Sequence, residues 1–442
     1  MAKPTYREIR EISGPIMLSL LAQNIVGVTD TAFLGRVGEV ELGASAIGGV
    51  FYLILYMVCF GFATGVQILI ARRYGEKNYE SIGRVFDNSF YFLGVFSLLM
   101  TGVVYFFGSS FLRIVLSSDP VFQASSIFLK YRVLGLFFAT AALLFRSFYT
   151  GISFTKYLSI SAAIMAVLNI LLDYLLIFGH WGFPKLGIEG AAIASSISEG
   201  VALLFFIWIT FGNRHLKRYH LFRLVKPDIQ IIRKTLNISI FTMMQFVLSF
   251  GSWFIFFMLV EKMGERPLAV SNIIRSVYIF FMIPGWALCS VASTLVSSAM
   301  GEGKPESVMP IIMRILKVSF FFVSILVLIA LLFPRTIISV YTNNASLIEA
   351  TVPSFYIIMG ALIVFSVMSV IFNGVLGTAN TKIALGIEAL TLFAYLGFTW
   401  LIAVHLKWEI EWVWIAEYVY FALIGILSLW YLRQGNWRAK RI

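Results

Sequence analysis

Residues 157–179 read YLSISAAIMAVLNILLDYLLIFG. One acid, Asp173, is the only charge in this run. At 1.5 Å per residue it is long enough to cross about 30 Å of hydrocarbon. Working outward, eleven more apolar runs of similar length appear. The twelve lie near 12–35, 45–71, 86–108, 122–149, 157–179, 188–211, 236–260, 268–299, 310–333, 347–376, 383–405 and 411–432. Charged or Gly/Pro-bearing breaks separate them, as at 72–78. Composition agrees: the 442 residues are 60% hydrophobic and 13% charged, against roughly 45–50% and 25% for soluble domains. No soluble core buries that much apolar surface under so few charges. A soluble enzyme, a disulfide scaffold and a disordered chain are excluded. Cys59 and Cys289 lie inside apolar runs and form no staple pattern.

The reading is an all-α membrane protein in which the bilayer is the solvent. The net charge of +12 then reports topology rather than nucleic acid, and no nucleic-acid partner is expected. With the N-terminus inside, 24 Lys and Arg fall on the inner side and 9 on the outer side, span ends being counted with the nearer loop, and Arg275 lies inside a span. That asymmetry places both termini in the cytoplasm of a multi-pass inner-membrane protein. Met1–Glu11 is polar and the first apolar run outlasts an h-region, so no signal peptide is expected.

The longest polar break, Gly212–Lys234, divides the runs six and six. Sliding the chain on itself by 226 residues superposes Gly75-Glu76 on Gly301-Glu302, Tyr52 on Tyr278, and Gly151, Thr155 and Lys156 on Gly377, Thr381 and Lys382. Six spans per repeat is even, so both halves keep one orientation, related by a pseudo-twofold axis along the membrane normal. The expected lobes are 1–211 and 235–442, joined by a cytoplasmic linker at 212–234. Two bundles side by side naturally leave a cleft.

Catalytic chemistry is scarce, and no enzyme is expected. The four histidines sit at helix ends or in the central loop, and HExxH and GxxxxGK[ST] are absent. Work against a gradient would need an ion gradient, and no cofactor. Intramembrane carboxylates are therefore the informative residues, since burying each is costly. Asp30 lies six residues before Arg36, and Asp173 seven before His180. Both carboxylates then sit roughly 9–10 Å below the outer helix ends. Asn169 shares a face with Asp173, four residues on. Ser195, seven residues into the returning sixth helix, reaches the same depth, and Glu199 lies one turn deeper. Two neighbouring carboxylates do not readily both ionise without a cation. The set suits a proton carrier, or a Na⁺ site at Asp30, Asn169 and Asp173.

Other residues read less sharply. Glu199 either joins the site or is a lone buried acid bonded to a carbonyl. Gln23 lies on the Asp30 stripe, where such a residue is more often helix glue. Arg275 is a counter-ion, or it snorkels to the interface. Glu388 and Glu417 lie near helix ends and read as interfacial. At offset 226, Asp30, Asn169 and Asp173 fall on Phe256, Tyr395 and Thr399, so the second half has lost this chemistry. It carries Met243, Met244 and Gln245, which suit a cleft for varied apolar ligands or simply pack.

The chain resembles the multidrug and toxic compound extrusion (MATE) transporters, of the DinF-like branch. The resemblance rests on GPIMLSLLAQ with AspThr at 30–31 and LGRVG after it, YGEK at 74–77, NILLDYLLIFG at 169–179 and GAAIAS at 190–195. It implies a monomeric exporter of drug-like, amphipathic and often cationic small molecules, driven by H⁺ or Na⁺. It also implies lobes rocking about a central cleft, a bend of the first helix at Pro15, and a cation site at Asp30, Asn169 and Asp173. The family often has Thr where Ser195 stands. Gln245 replaces a glutamate of some branches, which argues against a cation site of that kind in the second half. The runner-up is a flippase of lipid-linked precursors, which usually has more helices and a more basic cavity.

Overall fold

A computed structural model describes residues 4–223 and 226–439. Lys3, Lys440 and Arg441, part of the basic tally, lie outside the described residues, as do 224–225 of the central segment. Among the described residues all regular structure is helical. Twelve helices are long and apolar enough to cross a membrane. They are α1 (Tyr6–Val37), α2 (Glu39–Gly75), α3 (Tyr79–Val115), α4 (Asp119–Gly151), α5 (Lys156–Phe178) and α6 (Ile188–Gly212). The second six are α7 (Ile229–Glu261), α8 (Glu265–Gly301), α9 (Pro305–Leu332), α10 (Ala345–Gly377), α11 (Thr381–Leu406) and α12 (Ile410–Gln434).

Several helices outrun their apolar stretch because polar groups continue the ladder beyond it. At α3 the Asn78 side chain caps the start, accepting from the Ser81 N–H at 3.1 Å. α4 is interrupted by a 3₁₀ turn at Val133–Gly135, and α11 ends in a π-helical turn at Leu401–Leu406. Pro15 lies well inside α1, where a proline removes a ladder hydrogen bond.

The chain packs as two compact units, Leu18–Met243 and Met1–Met17 with Met244–Ile442. This differs from the expected 1–211 and 235–442. The first turns of α1 pack with the later helices: Arg314 donates to the Pro4 carbonyl at 2.6 Å and lies over the Tyr6 ring. Conversely, the first half of α7 packs with the early helices. Ser239 Oγ donates to the Phe62 carbonyl at 3.1 Å, and Thr242 Oγ1 to the Gly61 carbonyl at 2.6 Å. Glycine is required there, because a Cβ on Gly61 would meet the Met243 backbone and one on Gly65 would meet Ser239. The two transfer points, Met17 and Met243, are related by the same offset of 226.

The segment expected as a linker is docked on α3. Asp87 accepts from the N–H groups of Phe222 (2.8 Å) and Arg223 (3.2 Å), and Asn88 Oδ1 accepts from Asp228 N at 2.6 Å. Arg84 pairs with Asp228 at 3.1 Å. Tyr219, in the 3₁₀ turn Arg214–Tyr219, is buried, and burial pushes its phenol up to about 12. The phenol therefore stays neutral through the physiological range.

Candidate functional site

The site is built on helices that approach closely. After α5, Gly179 takes the left-handed conformation (φ 76°) and turns the chain. Leu186 N then donates back to the Leu176 carbonyl at 2.8 Å. α6 carries GlyAlaAla at 190–192 near its start, and a Cβ on Gly190 would meet the Leu176 backbone. Small residues thus let α6 lie against α5, as in membrane bundles generally. The result brings Ser195 within 3.4 Å of the Asn169 amide.

Asn169 is the bridge. With its NH₂ turned toward the acids it donates to Asp30 Oδ1 at 3.0 Å and to Asp173 Oδ2 at 3.3 Å. Its carbonyl then faces Ser195. Asp30 and Asp173 also lie within hydrogen-bond reach of each other. Asp173 is fully buried, and its Oδ1 has no partner among the described residues. Two carboxyls so placed hold one proton, or one cation, between them. The structure therefore gathers Asp30, Asn169, Asp173 and Ser195 from α1, α5 and α6.

One helical turn beyond the acids, toward the α5–α6 connection, an apolar layer covers them. It contains Leu34, Ile177, Ala191 and Ala192, packed with Ala44 and Phe128. Leu34 and Ile177 follow Asp30 and Asp173 by four residues, so they stand on the same helix faces.

Glu199 does not touch that pair. It forms a bidentate ion pair with Arg132 of α4, at 2.6 and 2.8 Å. The guanidinium lies 3.8 Å over the Tyr52 ring, and Arg132 also acts electrostatically on Asp30. Arg132, one of the nine bases counted on the outer side, sits inside the fourth span. A bidentate partner and an aromatic face compensate a buried guanidinium there.

Other expectations resolve differently. Gln23 donates to Ser19 at 3.4 Å, and among the described residues no hydrogen bond joins it to the acid cluster. Arg275 stacks over Phe257 at 5.1 Å and makes no ion pair among the described residues, so it is no counter-ion to an acid here. Met243 and Gln245 fall in different units, and Gln245 is buried beside Glu388. Glu388 and Glu417 are not interfacial. They are 2% and 3% exposed, because tyrosines of the second unit reach in to bind them.

Twelve spans, two units and a bridged intramembrane acid pair define a polytopic membrane transporter. Comparison with known proteins narrows this further. The MatE family model matches residues 15–175 and 239–401, one match in each half, and the chain belongs to that family. Its members are transporters, not enzymes. The chain is 24% identical over 444 residues to "Probable multidrug resistance protein NorM" of Thermotoga maritima, covering 99% of this chain and 94% of that protein. Its fold is similar to that of a MOP superfamily transporter from Pyrococcus furiosus, with TM-score 0.89 and 17% identity over 97% and 95% of the two chains. A variant of the Vibrio cholerae MATE transporter VcmN gives TM-score 0.90 at 18% identity, with 98% of each chain covered.

Proposed function

We propose that this chain is a proton-coupled multidrug exporter of the cytoplasmic membrane, monomeric, with both termini in the cytoplasm. The observation that carries the coupling is the Asp30–Asn169–Asp173 cluster. Two carboxyls within reach of each other share one proton directly, and the Asn169 amide can turn to serve whichever of them is ionised. The apolar layer beside the cluster shields it on one side, so proton exchange through that side requires the helices to part. That is the logic of alternating access: inward proton movement drives outward movement of amphipathic, often cationic compounds. The names of the curated relatives support a drug-like substrate.

The test is dye or drug efflux from proteoliposomes with ΔpH and a Na⁺ gradient imposed separately. An acid-outside gradient should drive efflux and a Na⁺ gradient alone should not. Efflux driven by Na⁺ at equal pH would overturn the assignment of the ion.

A further inference from the structure

The second unit holds two buried acids of its own. Glu417 of α12 accepts from the Tyr278 hydroxyl of α8 at 2.9 Å and the Tyr395 hydroxyl of α11 at 3.2 Å. Glu388 of α11 accepts on Oε1 from Ser249 of α7 and Tyr420 of α12, each at 2.7 Å. The Tyr395 and Tyr420 rings meet edge to face at 5.8 Å, joining the two acids through one aromatic contact. Cys289 of α8 lies near enough to act electrostatically on Tyr420. Among the described residues neither carboxylate has a Lys, Arg or His partner. An ionised carboxylate buried without a counter-charge is strongly disfavoured.

Gln245 supplies an independent pointer. It is 7% exposed, its side chain lies beside Glu388, and its carbonyl oxygen has no donor among the described residues. A proton on Glu388 gives the rotated amide the donor it lacks. The position is also informative. Tyr395 stands at the offset of Asn169, and Glu417 at that of Ala191, one turn from Ser195. Glu417 thus stands on the counterpart of α6, and Glu388 on the counterpart of α5 at the offset of Ala162.

We propose that Glu388 and Glu417 form a second proton-binding site, linked by Tyr395 and Tyr420 and read by Gln245. It goes beyond the export reading above, which invokes the Asp30 cluster alone. The test is infrared titration of the purified full-length protein in lipid nanodiscs, without substrate or gradient. In a D30N/D173N background, a protonated-carboxyl C=O band should persist and respond to pH. Adding E388Q and E417Q should abolish it. If those variants do not stay monodisperse, Y278F and Y420F keep both acids and should shift the band to higher frequency as hydrogen bonds are lost. Absence of the band, a band unmoved by all four substitutions, or its loss on adding Na⁺ at constant pH overturns the proton site. None of these readouts depends on export, so failure of efflux and failure of this site are separable.

Discussion

Asp30→Asn separates charge from shape. The amide keeps size and hydrogen bonding but cannot exchange a proton, so gradient-driven efflux should fall by at least about tenfold, the loss of one ionisable coupling group. Expression and monodispersity should stay near wild type. Wild-type efflux from a well-expressed D30N protein would refute the role. A second residue-scale prediction concerns Arg132. Arg132→Met strands Glu199 in the bundle and should cost about 3–5 kcal/mol, seen as a lower melting temperature in detergent. Adding Glu199→Gln should restore much of that loss, and simple additivity would show that the pair is unimportant. Asp30, Asn169, Asp173 and Ser195 were legible because depth along a helix follows from counting residues. Arg132, Glu388 and Glu417 were not. Near a helix end, only the facing of the helix decides whether a charge points to headgroups or into the bundle, and hydropathy is blind to facing.

Among the elements, the α5–α6 pair depends on its small residues. Gly190→Val places a side chain against the Leu176 backbone. Overpacking of this kind costs about 1–3 kcal/mol, and it should move Ser195 away from Asn169. Efflux should drop with melting temperature, while Gly27→Val on α1, where a Cβ meets nothing, should change neither. An unchanged G190V protein would contradict the close crossing. All twelve helices were readable from apolar run length, since hydrocarbon leaves the backbone few alternatives. The extra turns and the docked 212–234 segment were not, because Asp87 and Asn88 act through backbone contacts more than 130 residues away.

At the scale of the whole molecule, the basic asymmetry makes a topological prediction. Cys59 and Cys289 are buried, so single cysteines placed at Lys77 and Gly303 should react with an impermeant maleimide only from the cytoplasmic side. One at Gly182 should react only from outside. The reverse pattern would invert the assigned orientation. The repeat at offset 226 was visible in sequence, and it even relates the points where α1 and α7 pass between units. Which half-helix packs with which unit was not visible, because apolar patterning does not name its partner.

That exchange bears on how the protein is made. Residues 4–17 leave the ribosome well before the later helices they pack with. The first half of α7 emerges after the early helices and completes them at once. The early unit can therefore mature during translation, whereas the later one stays open until α12 has been inserted and residues 4–17 have been taken up. Two co-expressed fragments cut within 212–234 would each lack a piece held by the other, so assembly would have to proceed by mutual capture rather than by association of finished halves.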